Sequence, residues 1–219
     1  MTDEDTPELA SGVRKRLVDV LEEARLRGFL GPGPIDPHLR HAMAYLPILQ
    51  DVEGLVGRSV LDLGSGGGLP GLVLASTMSS WSFVLLDGNL RRTAFLEESI
   101  RALDITMTCA VVCGRAEEVA RQAAFRGRFD AVVARGFASP PVTAECAAPF
   151  LRLGGVLVVS EPPTHDPARW PAVGLSRLGL NAGQIHESAS ARLFATVLSL
   201  PCPDTYPRRV GIPTKRPVF

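Results

Sequence analysis

Lysine is almost missing from this chain: Lys15 and Lys215 stand against 21 arginines. Its positive charge is therefore carried by guanidinium forks, which suit phosphates and base edges, although genomic base composition accounts for such a bias equally well. Net charge is lacking too, 23 Lys+Arg balancing 23 Asp+Glu. No global field draws the molecule to polyanions, so any nucleic-acid surface must be local. The cysteines, Cys109, Cys113, Cys146 and Cys202, are few and scattered. That excludes a disulfide framework and predicts buried free thiols rather than a metal site. No stretch approaches the roughly 18 uninterrupted apolar residues of a membrane span, and the acidic N-terminus has no apolar signal core. The expectation is a cytoplasmic monomer with no metal and no membrane partner.

What is present is a core: 46% of the 219 residues are hydrophobic, enough for one domain with a short appendage. Residues 9–26 carry Val13, Leu17, Val20, Leu21 and Ala24 at helical spacing. Asp36-Pro37 then reads as an N-cap and first helical residue, opening a second helix through Ala42 and Tyr45 to Leu49. From there, apolar runs at 59–63, 82–86, 107–112, 129–134 and 155–160 alternate with helical patterns at 70–78, 90–103, 116–124 and 142–151. This alternation defines a doubly wound, mostly parallel α/β sheet. A further helix at 166–178 and two strands at 184–187 and 193–200, joined by a turn around Ser190, bring the sheet to seven strands, the last pair antiparallel. The organisation expected is a helical extension over 1–54, a core over 55–200 and a basic, proline-rich tail over 201–219 that wraps back onto the core.

The strongest motif is the stretch Val60-Leu61-Asp62-Leu63-Gly64-Ser65-Gly66-Gly67-Gly68-Leu69-Pro70-Gly71. A buried strand ends there in a loop without bulky side chains, where backbone can close around a ligand. Asp87 ends the second strand, where a carboxylate can accept from both hydroxyls of a ribose. A dinucleotide could use such a loop, but Asp62 near Gly64 sets negative charge where a pyrophosphate would lie. It suits instead the ammonium or sulfonium of S-adenosyl-L-methionine, whose product is S-adenosyl-L-homocysteine. The two terminal strands favour the same cofactor. Arg115, Ala116 and Glu117, after the third strand, offer an adenine position, although Glu117 could equally only cap a helix.

On the acceptor side, Arg135 follows the fourth strand with Phe137 two residues on. The arginine fork matches a guanine O6 and N7 edge or a phosphate, and the ring can stack on a base. A salt-bridged loop arginine and a core-closing phenylalanine remain the plainer alternative. No Asn-Pro-Pro-Tyr run and no poised cysteine occur. Guanine N7 has a free lone pair and no proton, so its methylation needs alignment and electrostatic tuning rather than a general base. Arg208, Arg209, Lys215 and Arg216 in the tail form a second cationic cluster beside Tyr206, either a phosphate grip or a solvated terminus.

Taken together, residues 40–217 resemble the bacterial glucose-inhibited division protein B family, methyltransferases acting on guanine N7 of 16S ribosomal RNA. The resemblance rests on five runs: 61–71, Leu-Leu-Asp-Gly-Asn-Leu-Arg-Arg-Thr-Ala-Phe-Leu at 85–96, Gly-Arg-Ala-Glu-Glu at 114–118, Phe-Asp-Ala-Val-Val-Ala-Arg-Gly-Phe-Ala at 129–138 and the tail at 206–217. It implies a class I S-adenosylmethionine-dependent methyltransferase fold. By resemblance, Gly64, Ser65, Gly66 and Gly68 surround the methionine part of the cofactor, Asp87 its ribose, and Ala116 and Glu117 its adenine. Arg115 and Arg135 line the cofactor and RNA cleft, Arg208 and Arg209 contact RNA, and 16S rRNA or the small ribosomal subunit is the partner. His41 matches a family histidine, but the family's Asp-Ser pair after it becomes Ala44-Tyr45. Glu161 stands where the family often has lysine, an expected charge reversal beside the RNA cleft that leaves a small-molecule or protein acceptor, or a noncatalytic RNA-binding role, as alternatives.

Overall fold

A computed structural model describes residues 9–51, 58–164 and 166–219. Seven strands form one sheet: β1 (Ser59–Leu63), β2 (Ser82–Asp87), β3 (Cys109–Cys113), β4 (Phe129–Ala134), β5 (Leu151–Glu161), β6 (Gln184–Glu187) and β7 (Arg192–Val197). Their order is β3-β2-β1-β4-β5-β7-β6. β1 to β5 pair in parallel, and β7 runs antiparallel to both β5 and β6. All six residues of β4 are buried, as a parallel strand covered on both faces requires.

Helices lie on both sides. On one face, α1 (Ser11–Leu26), α2 (Ile35–Met43), α3 (Leu46–Asp51), α4 (Gly71–Thr77) and α5 (Leu90–Ala102) bring Leu17, Leu39, Leu46, Leu72 and Leu96 against Val60, Ala131 and Val158. On the other, α6 (Ala116–Val119), α7 (Pro140–Ala147), α8 (Ala172–Ser176) and the C-terminal segment pack Ala147, Leu175 and Val218 against Leu61, Val132 and Leu157. Val60 and Leu61 fall on opposite faces because side chains alternate along a strand. A short helix, α9 (Ile212–Lys215), lies in that C-terminal segment.

Several helix boundaries differ from expectation, mostly at prolines. α2 starts at Ile35 with Pro34 before it, not at an Asp36 cap. Its first turn has no intrahelical use for N–H groups, so Pro37 fits there, and Asp36 pairs with Arg14 at 2.5 Å instead. The helix expected to continue to Leu49 breaks at Ala44 and Tyr45 and restarts as α3, because Pro47 cannot donate and its ring would strike the preceding turn. Pro171 likewise divides the helix expected at 166–178 into a 3₁₀ turn, Pro167–Arg169, and α8. The 116–124 segment keeps only four helical residues before bonds such as Gln122 N–H to Val119 O tighten it. The 142–151 helix starts earlier, at Pro140, and ends at Ala147 in a 3₁₀ turn. β5 begins at Leu151 rather than 155, and its register with β4 shifts between Phe129 and Ala131, a bulge. Cys113 is exposed and Cys202 half-buried, against the expectation of buried thiols. The boundary expected at 54/55 lies outside the described residues.

Candidate active site

Strand order reverses between β1 and β4, and a crevice opens there beyond the strand ends. The loop after β1 builds its floor. Gly64, Gly66 and Gly68 adopt φ of +74°, +55° and +95°, a region that costs other residues about 1–2 kcal/mol. A Cβ on Gly64 would lie 2.5 Å from Phe137 Cδ2, so the glycine also makes room for that ring. The Gly64 and Ser65 amides donate to Leu86 O at 2.8 and 3.0 Å. Gly66 N–H donates to Asp87 Oδ2 at 2.9 Å, and Asn89 N–H to Asp87 Oδ1 at 2.8 Å. Each Asp87 oxygen, so held, retains a lone pair for a further donor.

The cleft has a volume of about 400 Å³ and is lined by Leu63, Gly64, Asp87, Gly88, Asn89, Arg92, Gly114, Arg115, Ala116, Glu117, Gly136 and Phe137, among others. Six residues singled out from sequence, Gly64, Asp87, Arg115, Ala116, Glu117 and Phe137, thus meet on its walls. Asp62, Ser65, Gly66 and Gly68 belong to the strand end and loop beneath. Ser65 Oγ donates to Asp62 O at 3.0 Å and Gly71 N–H to Asp62 Oδ2 at 3.1 Å. Glu117 does not serve as a simple helix cap. Its Oε1 accepts from Arg115 Nη2 at 3.4 Å and from Gly211 N–H of the tail at 3.2 Å.

A second group adjoins the first. Arg135, just past β4, approaches His38 Nδ1 with Nη2 at 2.9 Å. His41 Nε2 and Ser160 Oγ, at the end of β5, are 2.9 Å apart, and Tyr45 OH donates to Ala134 O at 2.9 Å. Asp62 Oδ1, Arg135 Nη1 and His41 Nδ1 are buried without hydrogen-bond partners. An orphaned buried polar atom costs about 1–3 kcal/mol, and three of them gather around Arg135. Burial pushes the Asp62 carboxyl up to about 7, against the pull of the Gly71 amide. Burial, then the nearby Arg135 charge, lowers His41 to about 4 and also lowers His38. Burial likewise raises Cys109 to about 12 and Cys202 to about 11; neither is an activated nucleophile.

The tail departs from expectation at Arg208. Its backbone N–H, Nε and Nη2 donate to the fully buried Glu145 at 2.9, 2.8 and 2.6 Å, and Nη2 also reaches Arg216 O. This guanidinium ties the tail to α7 rather than standing open for a phosphate. Arg209 and Lys215 are exposed, and neither forms an ion pair among the described residues. Glu161 differs as well: Arg169 grips it at 2.7 and 3.4 Å, cancelling the expected charge reversal. Sequence reasoning missed His38. The available signal was spacing, since His38, His41 and Tyr45 recur at three and four residues, one face of a helix.

A second cavity of about 420 Å³ lies between α3 and the β6–β7 hairpin, and none of the residues singled out for chemistry lines it. Among the described residues, no cluster of three metal-ligating side chains occurs, and no helix is long and apolar enough to cross a membrane.

The fold is similar to that of the O-methyltransferase from Bacillus cereus in complex with SAH, with a TM-score of 0.61 and 16% identity over 89% of this chain and 94% of that one. A methyltransferase from Geobacter sulfurreducens gives 0.61 at 14% identity, covering 90% and 94%. Strand order, glycine loop and these likenesses define the class I methyltransferase fold. A family model for GidB, rRNA small subunit methyltransferase G, matches residues 35–161. Ribosomal RNA small subunit methyltransferase G of Deinococcus deserti is 37% identical over 169 residues, 73% of this chain and 68% of the relative. Its counterpart in Dictyoglomus thermophilum is 28% identical over 188 residues, 83% and 77%. The chain belongs to the rRNA small subunit methyltransferase G family.

Proposed function

We propose that this protein transfers a methyl group from S-adenosyl-L-methionine to N7 of a guanine in 16S ribosomal RNA. The observation that carries the reading is Arg135: a guanidinium at the end of β4, with Nη1 buried and unpartnered, two residues from a ring on the cleft wall. The cofactor fits the residues present. Asp87 accepts the ribose hydroxyls, Ala116 and Glu117 border the adenine, and Gly64 to Gly68, with Ser65, surround the methionine portion. Asp62, at the strand end beneath that loop, would set a carboxylate near its cationic end. When bound, the cofactor would supply an electrophilic methyl on a cationic sulfur; guanine N7 offers a lone pair and carries no proton, so the protein needs no general base.

The protein's work is then alignment. Arg135 donates to the O6 and N7 edge or to an adjacent phosphate, Phe137 stacks on the base, and His41 helps form the wall behind them. Arg115, Arg209 and Lys215 hold phosphates. Burial and the Arg135 charge lower His41 to about 4, which makes it a weak base and agrees with a reaction that needs none. Neutral net charge favours a small-molecule or protein acceptor instead, but the Glu161–Arg169 pair removes the other argument for it.

Tritiated methyl transfer to unmodified small-subunit rRNA and to 30S particles, followed by mapping of the labelled nucleotide, tests the reading. Label at a single guanine N7 is expected. No label in either RNA form, together with tight cofactor binding by calorimetry, would overturn it.

A further inference from the structure

We propose that His38 is a positioning residue: its neutral imidazole clamps one arm of the Arg135 guanidinium and so fixes the plane in which that group meets the acceptor base. This rests on the reading of Arg135 given above. A guanidinium only donates hydrogen bonds and stays charged at any working pH. The 2.9 Å contact between Arg135 Nη2 and His38 Nδ1 therefore requires Nδ1 to be the acceptor, with the ring proton on Nε2. Nη1, on the same rigid plane, is left without a partner. Fixing Nη2 thus fixes the direction in which Nη1 points.

The clamp is mounted on a braced helix. One face of α2 and the turn after it carries His38, His41 and Tyr45, and each meets the end of a central strand. His38 holds Arg135, His41 holds Ser160, and Tyr45 donates to Ala134 O, the carbonyl immediately before Arg135. The backbone and the side chain of the arginine region are anchored from one element. His38 is only half-buried, so core packing alone does not account for it. Preorganised donors of this kind need no reorientation when charge or substrate arrives.

Protonation would undo the arrangement, because an imidazolium has no acceptor and repels the guanidinium. The charged and titratable groups around the ring are Arg135 opposite it and His41 on its own helix, with Tyr45 and Asp62 behind Arg135. His41 stays neutral above about pH 4, whereas Asp62 titrates near 7. The Asp62 effect is common to every His38 variant, so differences among their pH profiles isolate His38.

The test compares the full-length chain with His38→Ala, His38→Asn and Arg135→Ala. Single-turnover methyl transfer to small-subunit rRNA is followed between about pH 5 and pH 8, with calorimetric affinity for S-adenosyl-L-methionine and thermal melts alongside. Asparagine places an acceptor oxygen near the Nδ1 position and does not titrate. The expected result is a rate reduced about tenfold in His38→Ala with cofactor affinity unchanged, and recovered to within about threefold in His38→Asn. The asparagine variant also lacks the acid limb assigned to His38. Independently of turnover, ¹⁵N spectra of the imidazole show the Nε2–H tautomer in the parent chain and a mixture in Arg135→Ala. Equal rates in the alanine and asparagine variants, or an Nδ1–H tautomer in the parent, overturn the proposal. Full activity in Arg135→Ala overturns the reading of Arg135 itself, and the positioning role with it.

Discussion

At the scale of single residues, the most consequential interactions put charge where water cannot reach. Glu145 is fully buried and Arg208 is its partner. Removing one member of such a pair leaves an uncompensated buried charge, at about 3–5 kcal/mol. Arg208→Ala is therefore expected to lower the melting temperature markedly, while Arg209→Ala leaves it unchanged and weakens only RNA binding, with a shallower salt dependence. Calorimetric melts and RNA titrations at several salt concentrations separate the two. Asp62 makes a different prediction. Its carboxyl is raised from 3.8 to about 7 in the fold, so its contribution to stability is fully present below the unfolded value and is lost as pH rises through the folded one. Asp62→Asn is accordingly expected to stabilise the unliganded protein at pH 8, by on the order of a few kcal/mol at most, and to have little effect below about pH 4. The same substitution should weaken S-adenosyl-L-methionine binding at pH 8. Melts across pH, with and without cofactor, read both effects. Gly64→Ala places a methyl group against Phe137 at positive φ, and calorimetry should show at least about a tenfold loss of cofactor affinity.

At the scale of elements, the strands were legible because a sheet covered on both faces demands apolar runs, and β1, β4 and β6 match the expected ranges residue for residue. Helix ends were less legible. Pro47 and Pro171 each divide a pattern whose apolar spacing continues across the break, so periodicity alone ran on where the backbone could not. Residues whose role is local, such as the glycines after β1 and the acid ending β2, could be read from sequence since strand and loop fix their place. Pairings formed across long stretches of chain, His38 with Arg135 and Glu145 with Arg208, left no local signal of the pairing itself. The tail is the clearest element-scale case. It supplies Arg208 to Glu145 and the Gly211 amide to Glu117 on the cleft wall. A chain ending at residue 203 is therefore expected to lose both stability and cofactor affinity, measured by melts and titration. Retained affinity would show that the tail's contact with Glu117 is incidental.

For the whole molecule, the doubly wound sheet brings two dissimilar walls to one crevice. The β1–β2–β3 side provides glycine backbone and Asp87. The β4 side provides Gly136 and Phe137, with Arg135 held against α2 beside them. A neutral net charge is compatible with an RNA substrate because several arginines are spent within the protein, on the buried carboxylates Glu145 and Glu161 and on tail carbonyls. Those that remain exposed include Arg115 beside the cleft and Arg209 in the tail. The most direct measurement is a crystal structure of the protein with S-adenosyl-L-homocysteine. The ribose should sit on Asp87, the adenine beside Ala116 and the sulfur on the side of the cleft where Arg135 follows β4. A ligand whose sugar engages another residue, or one seated instead between α3 and the β6–β7 hairpin, would contradict the account.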